Sequence, residues 1–118
     1  MGAFCVFGVS KSLCKDRVGK KLPTRDPKLG RELSPAEWAA RRDEQALEVF
    51  EKAEKPVKIS PEFDAPQFCR DWFSVSPEEV RLARVMVRGP KVDENGNPVV
   101  RRGAQVMTWL PYEGLKLA

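Results

Sequence analysis

The side chains that carry most enzyme chemistry are scarce in this chain. Histidine is absent, which removes the commonest general base, the commonest metal ligand and the physiological pH switch together. The three cysteines, Cys5, Cys14 and Cys69, form no Cys-x-x-Cys pair, and a structural zinc site needs four Cys or His ligands. Cys14 draws notice because Lys11, Lys15 and Arg17 surround it in sequence, and nearby cations lower a thiol pKa. Glu44/Glu48 and Glu48/Glu51 lie one helical turn apart, a spacing able to hold a divalent ion, although such pairs usually mark a solvated helix face. Gly8-Val9-Ser10 lacks the Gly-Lys-Ser/Thr ending of a phosphate loop and the spacing of a dinucleotide fingerprint. The inventory predicts no catalytic residue, no metal and no cofactor. An enzyme built on carboxylates or on Cys14 is the last of the alternatives.

The basic residues carry the remaining signal. Arg84, Arg88, Lys91, Arg101 and Arg102 cluster in the last third of the chain, with Met86 and Met107 among them. Guanidinium forks bind phosphates and carboxylates bidentately, and methionines make an adaptable interface. Lys11, Lys15 and Arg17 add a second basic segment within 11–31. Net charge is +4 with a pI near 9.1, a mild bias, but its distribution is uneven. Residues 1–33 and 80–118 are basic, and residues 34–79 hold eleven Asp/Glu against six Lys/Arg. The acidic middle is therefore a rival partner for the arginines inside the same molecule.

The element that must position the arginines is a hairpin about Asn95-Gly96, the preferred pair for a type I′ turn. Pairing outward from that turn predicts Val92 opposite Val99, Val87 opposite Ala104, Val85 opposite Val106 and Leu82 opposite Trp109. One face would carry Val85, Val87, Ala104 and Val106 toward the core. The other would carry Arg84, Met86, Arg88, Arg101, Gln105 and Met107, with Lys91 and Arg102 opposite them near the bend. Pro90 and Pro98 cannot donate to a ladder, so the outer half is expected to bend or project. Trp109 reads as a core or strand-end anchor rather than a stacking platform.

The rest of the chain supplies the frame. Ala3 to Val9 is a continuous apolar run, a buried strand near the sheet centre. Ser10 caps a short helix over 11–20. Ser34-Pro35-Ala36-Glu37 opens an amphipathic helix over 35–54 that ends at Pro56. Its stripe of Trp38, Ala46, Val49 and Phe50 is expected to cover a sheet face, and its acidic face holds Asp43, Glu44, Glu48, Glu51 and Glu54. Asp64 is placed as the cap of a helix over 65–74 bearing Phe68, Cys69, Trp72 and Phe73. Ser76-Pro77-Glu78-Glu79 opens a helical turn before a strand begins. Residues 20–33 and 55–64 read as loops and 111–118 as a tail.

These readings predict one small α+β domain over 1–118: an N-terminal strand and a C-terminal antiparallel hairpin packed against two or three helices. With 118 residues the chain has room for a single modest core. An odd cysteine count without paired spacing argues for free thiols in a reducing setting. The apolar run at 3–9 is too short for a secretion signal or a membrane span, and Val6 breaks the myristoylation pattern. The expectation is a cytoplasmic, non-enzymatic protein with no membrane partner. It would dock nucleic acid or a nucleoprotein complex through the basic hairpin. The alternative is a protein–protein adaptor or inhibitor using the hairpin face or the acidic helix, the kind of antagonist that phages and mobile elements carry.

Overall fold

A computed structural model describes residues 2–117; Met1 and Ala118, the two ends of the expected domain, lie outside them. The fold is α+β. The elements are β1 (Phe4–Ser10), α1 (Lys11–Lys21), β2 (Arg25–Asp26), β3 (Arg31–Glu32), α2 (Pro35–Lys52), β4 (Val57–Lys58), α3 (Pro66–Val75), a 3-10 turn (Pro77–Glu79), β5 (Val80–Pro90), β6 (Val100–Arg101), β7 (Ala104–Gln105) and β8 (Met107–Pro111). The main sheet is antiparallel with order β4-β1-β5-β8.

The apolar run forms β1, one of the two inner strands, because it needs cover on both faces. Phe4 and Val6 point to one face and meet Val85, Cys69 and Trp72 in a cluster beneath α3. Val9 points to the other and meets Cys14, Ala46 and Phe50 of α1 and α2. Val6 and Val85 are nearly solvent-free, each contributing about 1.5–3 kcal/mol through burial. Between these anchors the β1–β5 register slips, and Leu82 takes up the bulge at φ +57°. Gly8 sits opposite, where an added Cβ would lie 2.8 Å from the Val80 side chain.

Local capping decides the helix starts. The Ser10 hydroxyl accepts from Leu13 N–H at the head of α1. Ser34 and Glu37 close a reciprocal capping box on α2, with Pro35 in the first turn. Asp64 does not cap α3, whose N-cap is Ala65 with no side-chain bond. Ser76 likewise makes no side-chain bond to the turn that follows it, and only its carbonyl accepts from Glu79 N–H. Rather than covering a sheet face, α2 lies against α1 and reaches the sheet only at its end, where Phe50 meets Val9. Trp38 donates to the Leu22 carbonyl and Val49 stays exposed.

Both segments expected as loops contain strands. Residues 20–33 fold into the β2–β3 hairpin, organised by buried Asp26, whose carboxylate accepts from Lys28 and Leu29 N–H and pairs with Arg41 at 2.6 Å. The stretch 55–64 supplies the edge strand β4. At its end Val6 N–H donates to the Ser60 hydroxyl at 2.7 Å, so a side chain fills the gap before backbone pairing resumes at Phe4 and Phe63. The expected tail folds back instead: Tyr112, Leu115 and Leu117 pack beside α3 on the sheet face it covers, and Tyr112 meets the Phe4 ring edge-on at 5.4 Å.

Candidate binding face and arm

The β5–β8 ribbon exists, but two local events overturn the expected register. At Asn95-Gly96 only Gly96 has positive φ. Asp93 N–H donates to Asn97 O, and Gly96 N–H donates to Asp93 O. The Asp93 carboxylate also accepts from Asn95 and Asn97 N–H. This is a three-residue loop rather than a type I′ turn, so Val92 faces Pro98 and not Val99. The two-residue turn with both central φ positive is Arg102-Gly103, at +52° and +77°. It closes a second small hairpin, β6–β7. Beyond it Val87 pairs with Leu110 instead of Ala104, Arg88 faces Trp109, and Val85 accepts from Tyr112 N–H instead of meeting Val106.

This register divides the predicted site residues into three groups. Arg84, Met86, Arg88 and Met107 do share one face of the β5–β8 ribbon, as strand alternation and the pairing of Met107 with Pro90 require. Lys91, Arg101 and Arg102 leave the sheet for an exposed arm of residues 91–105, in which Val92 and Val100 are also exposed. Ala104 and Gln105, assigned to opposite faces of the main hairpin, belong to this arm too. The arm fits an elongated molecule, with a radius of gyration of 18.8 Å and a long axis of 58 Å; a compact chain of this length would have a radius near about 13.5 Å. Lys11, Lys15 and Arg17 lie on α1, away from the ribbon, and Lys11 sits over the Phe50 ring.

The Arg84–Arg88 face is chemically mixed. Its neighbours across the strands are Phe7 opposite Arg84, Lys58 opposite Phe7, Cys5 opposite Met86 and Trp109 opposite Arg88. The Phe7 and Trp109 rings are 6.3 Å apart although β5 runs between their strands, so both lean over β5, where Met86 is buried rather than presented. Lys58 Nζ and the Arg88 guanidinium lie 5.4 and 5.7 Å from the Trp109 ring. Glu62 bonds Lys58 at 3.0 Å and Arg88 at 3.3 Å, and its carboxyl is held below the usual range, chiefly by the Lys58 hydrogen bond. Sequence reading missed Phe7, Lys58 and Glu62 as members of this face. The alternation of 3–9 and of 57–62 was their only signal.

The acidic helix is not the partner of these arginines. Its Glu48 bonds Lys52 at 2.7 Å. Among the described residues, Arg84, Lys91, Arg101 and Arg102 make no ion pair with any carboxylate. No three metal-ligating side chains come together among those residues either. Cys14 is buried beside Val9, Ala46 and Phe50, and burial raises its thiol pKa against the opposing charge of Arg17, so the cations near it in sequence do not activate it. Burial likewise pushes Cys5 and Cys69 up to about 11. No helix of the described residues is long and apolar enough to cross a membrane. The chain matches no protein-family model, no curated protein and no solved structure, so the geometry of this face and arm carries the functional reading.

Proposed function

We propose that the protein is a non-enzymatic binding module that docks nucleic acid, alone or in a nucleoprotein complex, through the basic face of β5–β8 and the arm beyond it. The observation that carries this reading is that, among the described residues, Arg84, Lys91, Arg101 and Arg102 of the ribbon face and arm make no ion pair with a carboxylate. Cations that no described carboxylate engages are available to phosphates, which guanidinium forks bind bidentately.

The experiment is a salt titration of binding. Neutralising four phosphates gives a slope of log K against log salt of roughly −3.6 on duplex and −2.8 on single strands. Changing Arg84, Arg88 and Arg101 to Ser together should flatten that slope. Absence of binding at low salt, or binding indifferent to the three substitutions, would falsify the proposal.

A protein partner is the second reading. It is favoured by a cleft between α1 and α3 lined by Leu13, Ile59, Trp72, Phe73 and Val75, in which Leu13 and Val75 are exposed. Recovery of a discrete protein after nuclease treatment would support it.

A further inference from the structure

We propose that the open half of the sheet binds single-stranded nucleic acid, stacking a base on the Trp109 ring beside Phe7 and holding the flanking phosphates with Lys58, Arg84 and Arg88. This rests on the nucleic-acid reading above and names the strand form and the contact surface.

The two faces of the sheet are covered unequally. One lies under α3 and the returning C-terminal segment. The other lies under α1–α2 where Val9 meets them and where Arg81 crosses to the Phe50 and Ala53 carbonyls, and farther along no helix of the described residues packs on it, its own side chains closing over Cys5 and Met86. There it carries the Phe7 and Trp109 rings, inclined 54° to each other, with Lys58 and Arg88 both against Trp109. Aromatic faces bind the π-faces of bases, and basic side chains beside them track the backbone. Arg84 stands opposite Phe7 and pairs with no carboxylate of the described residues. Glu62 is the acid bonded to the other two cations, and a phosphate would take its place.

Geometry selects the strand form. Four strands at about 4.8 Å spacing make a surface about 14 Å across before side chains are added, wider than the major groove of roughly 12 Å. A duplex also buries its base faces in its own stack. Only an unpaired strand can lay a base flat on this surface.

The test uses fluorescein-labelled pyrimidine oligonucleotides of about 12 nucleotides, single-stranded or annealed, in fluorescence anisotropy at equal low salt. The single strand should bind at least about tenfold tighter than the duplex. Trp109→Ala should weaken single-strand binding by about tenfold to a hundredfold, the range of one lost base stack, and leave duplex binding unchanged. Trp109→Phe should retain most of the affinity. Arg84→Ser, at an exposed position, should weaken single-strand binding without touching the fold. Equal binding of both forms, or full single-strand affinity in Trp109→Ala, overturns the stacking site and leaves the broader proposal standing if the triple Arg variant still loses binding. Failure of both nucleic acids to bind at low salt overturns both readings, and poly-glutamate binding in their place points to an acidic protein.

Discussion

Val99 and Val106 share a single partner. Lys91 C=O accepts from Val99 N–H at 2.9 Å, and Lys91 N–H donates to Val106 C=O at 2.8 Å. In an antiparallel ladder both bonds belong to one opposing residue. Here that residue is split in two, and the chain between the halves leaves the sheet as β6–β7. Excising Val100–Val106 therefore lets Val99 make both bonds and brings Met107 into line beside it with no change of pairing. The excised protein should keep its melting temperature within about 4 °C, the shift expected for less than 1 kcal/mol in a domain this size. If Arg101 and Arg102 contact phosphates, excision should also reduce the salt slope by about 1.4 to 1.8. A large drop in melting temperature would show that the arm supports the sheet.

The hydrogen bond from Val6 N–H to Ser60 sits at the centre of the core, where Val6 is solvent-free and Ser60 is buried. Ser60→Ala strands that N–H. It should lower stability by about 1–3 kcal/mol, seen as a lower urea midpoint with an unchanged m-value. A loss below about 0.5 kcal/mol would mean that water replaces the hydroxyl.

Leu82 is exposed at φ +57°, a region costly for a bulky side chain. Leu82→Asn removes little packing and suits the left-handed conformation. It should raise stability by about 1 kcal/mol, measured as a higher denaturant midpoint. A lower midpoint would show that Leu82 packs more than its exposure suggests.

The head of α2 should weaken in acid. Arg31 hydrogen-bonds Glu37, and the Ser34 backbone and hydroxyl add to the effect, lowering the Glu37 pKa from 4.5 to about 2. A carboxylate with a depressed folded-state pKa stabilises fully above its unfolded pKa and loses that contribution as pH falls through the folded one. The stability gap between the natural protein and Glu37→Gln should therefore be constant above pH 4.5 and close between about 4.5 and 2. Asp26, also lowered by its Arg41 hydrogen bond, acts in the same direction. Urea midpoints at pH 7, 4 and 2 decide the matter; a gap that persists at the lowest pH assigns the Glu37 effect to helix propensity.

The sequence by itself determined the elements whose signals are local. Ser10 and the Ser34–Glu37 box mark the starts of α1 and α2 because a capping hydroxyl acts on N–H groups within three residues. The apolar run of β1 declares an inner strand because no exposed strand can carry it. The α+β class and the sharing of one face by Arg84, Arg88 and Met107 follow from such signals and from strand alternation.

Only the tertiary structure decided the rest. Register beyond Val92 depends on which of two glycine turns, Gly96 or Gly103, takes the tight geometry, and alternating Val residues on either side accept both answers. The placement of Ser60 against Val6 and of Lys58 over Trp109 joins residues more than forty positions apart, so no window of sequence contains either contact. Whether the arginines would be spent on the acidic helix depended on where α2 docks. It docks on α1, and Arg84 and the arm are left facing solvent.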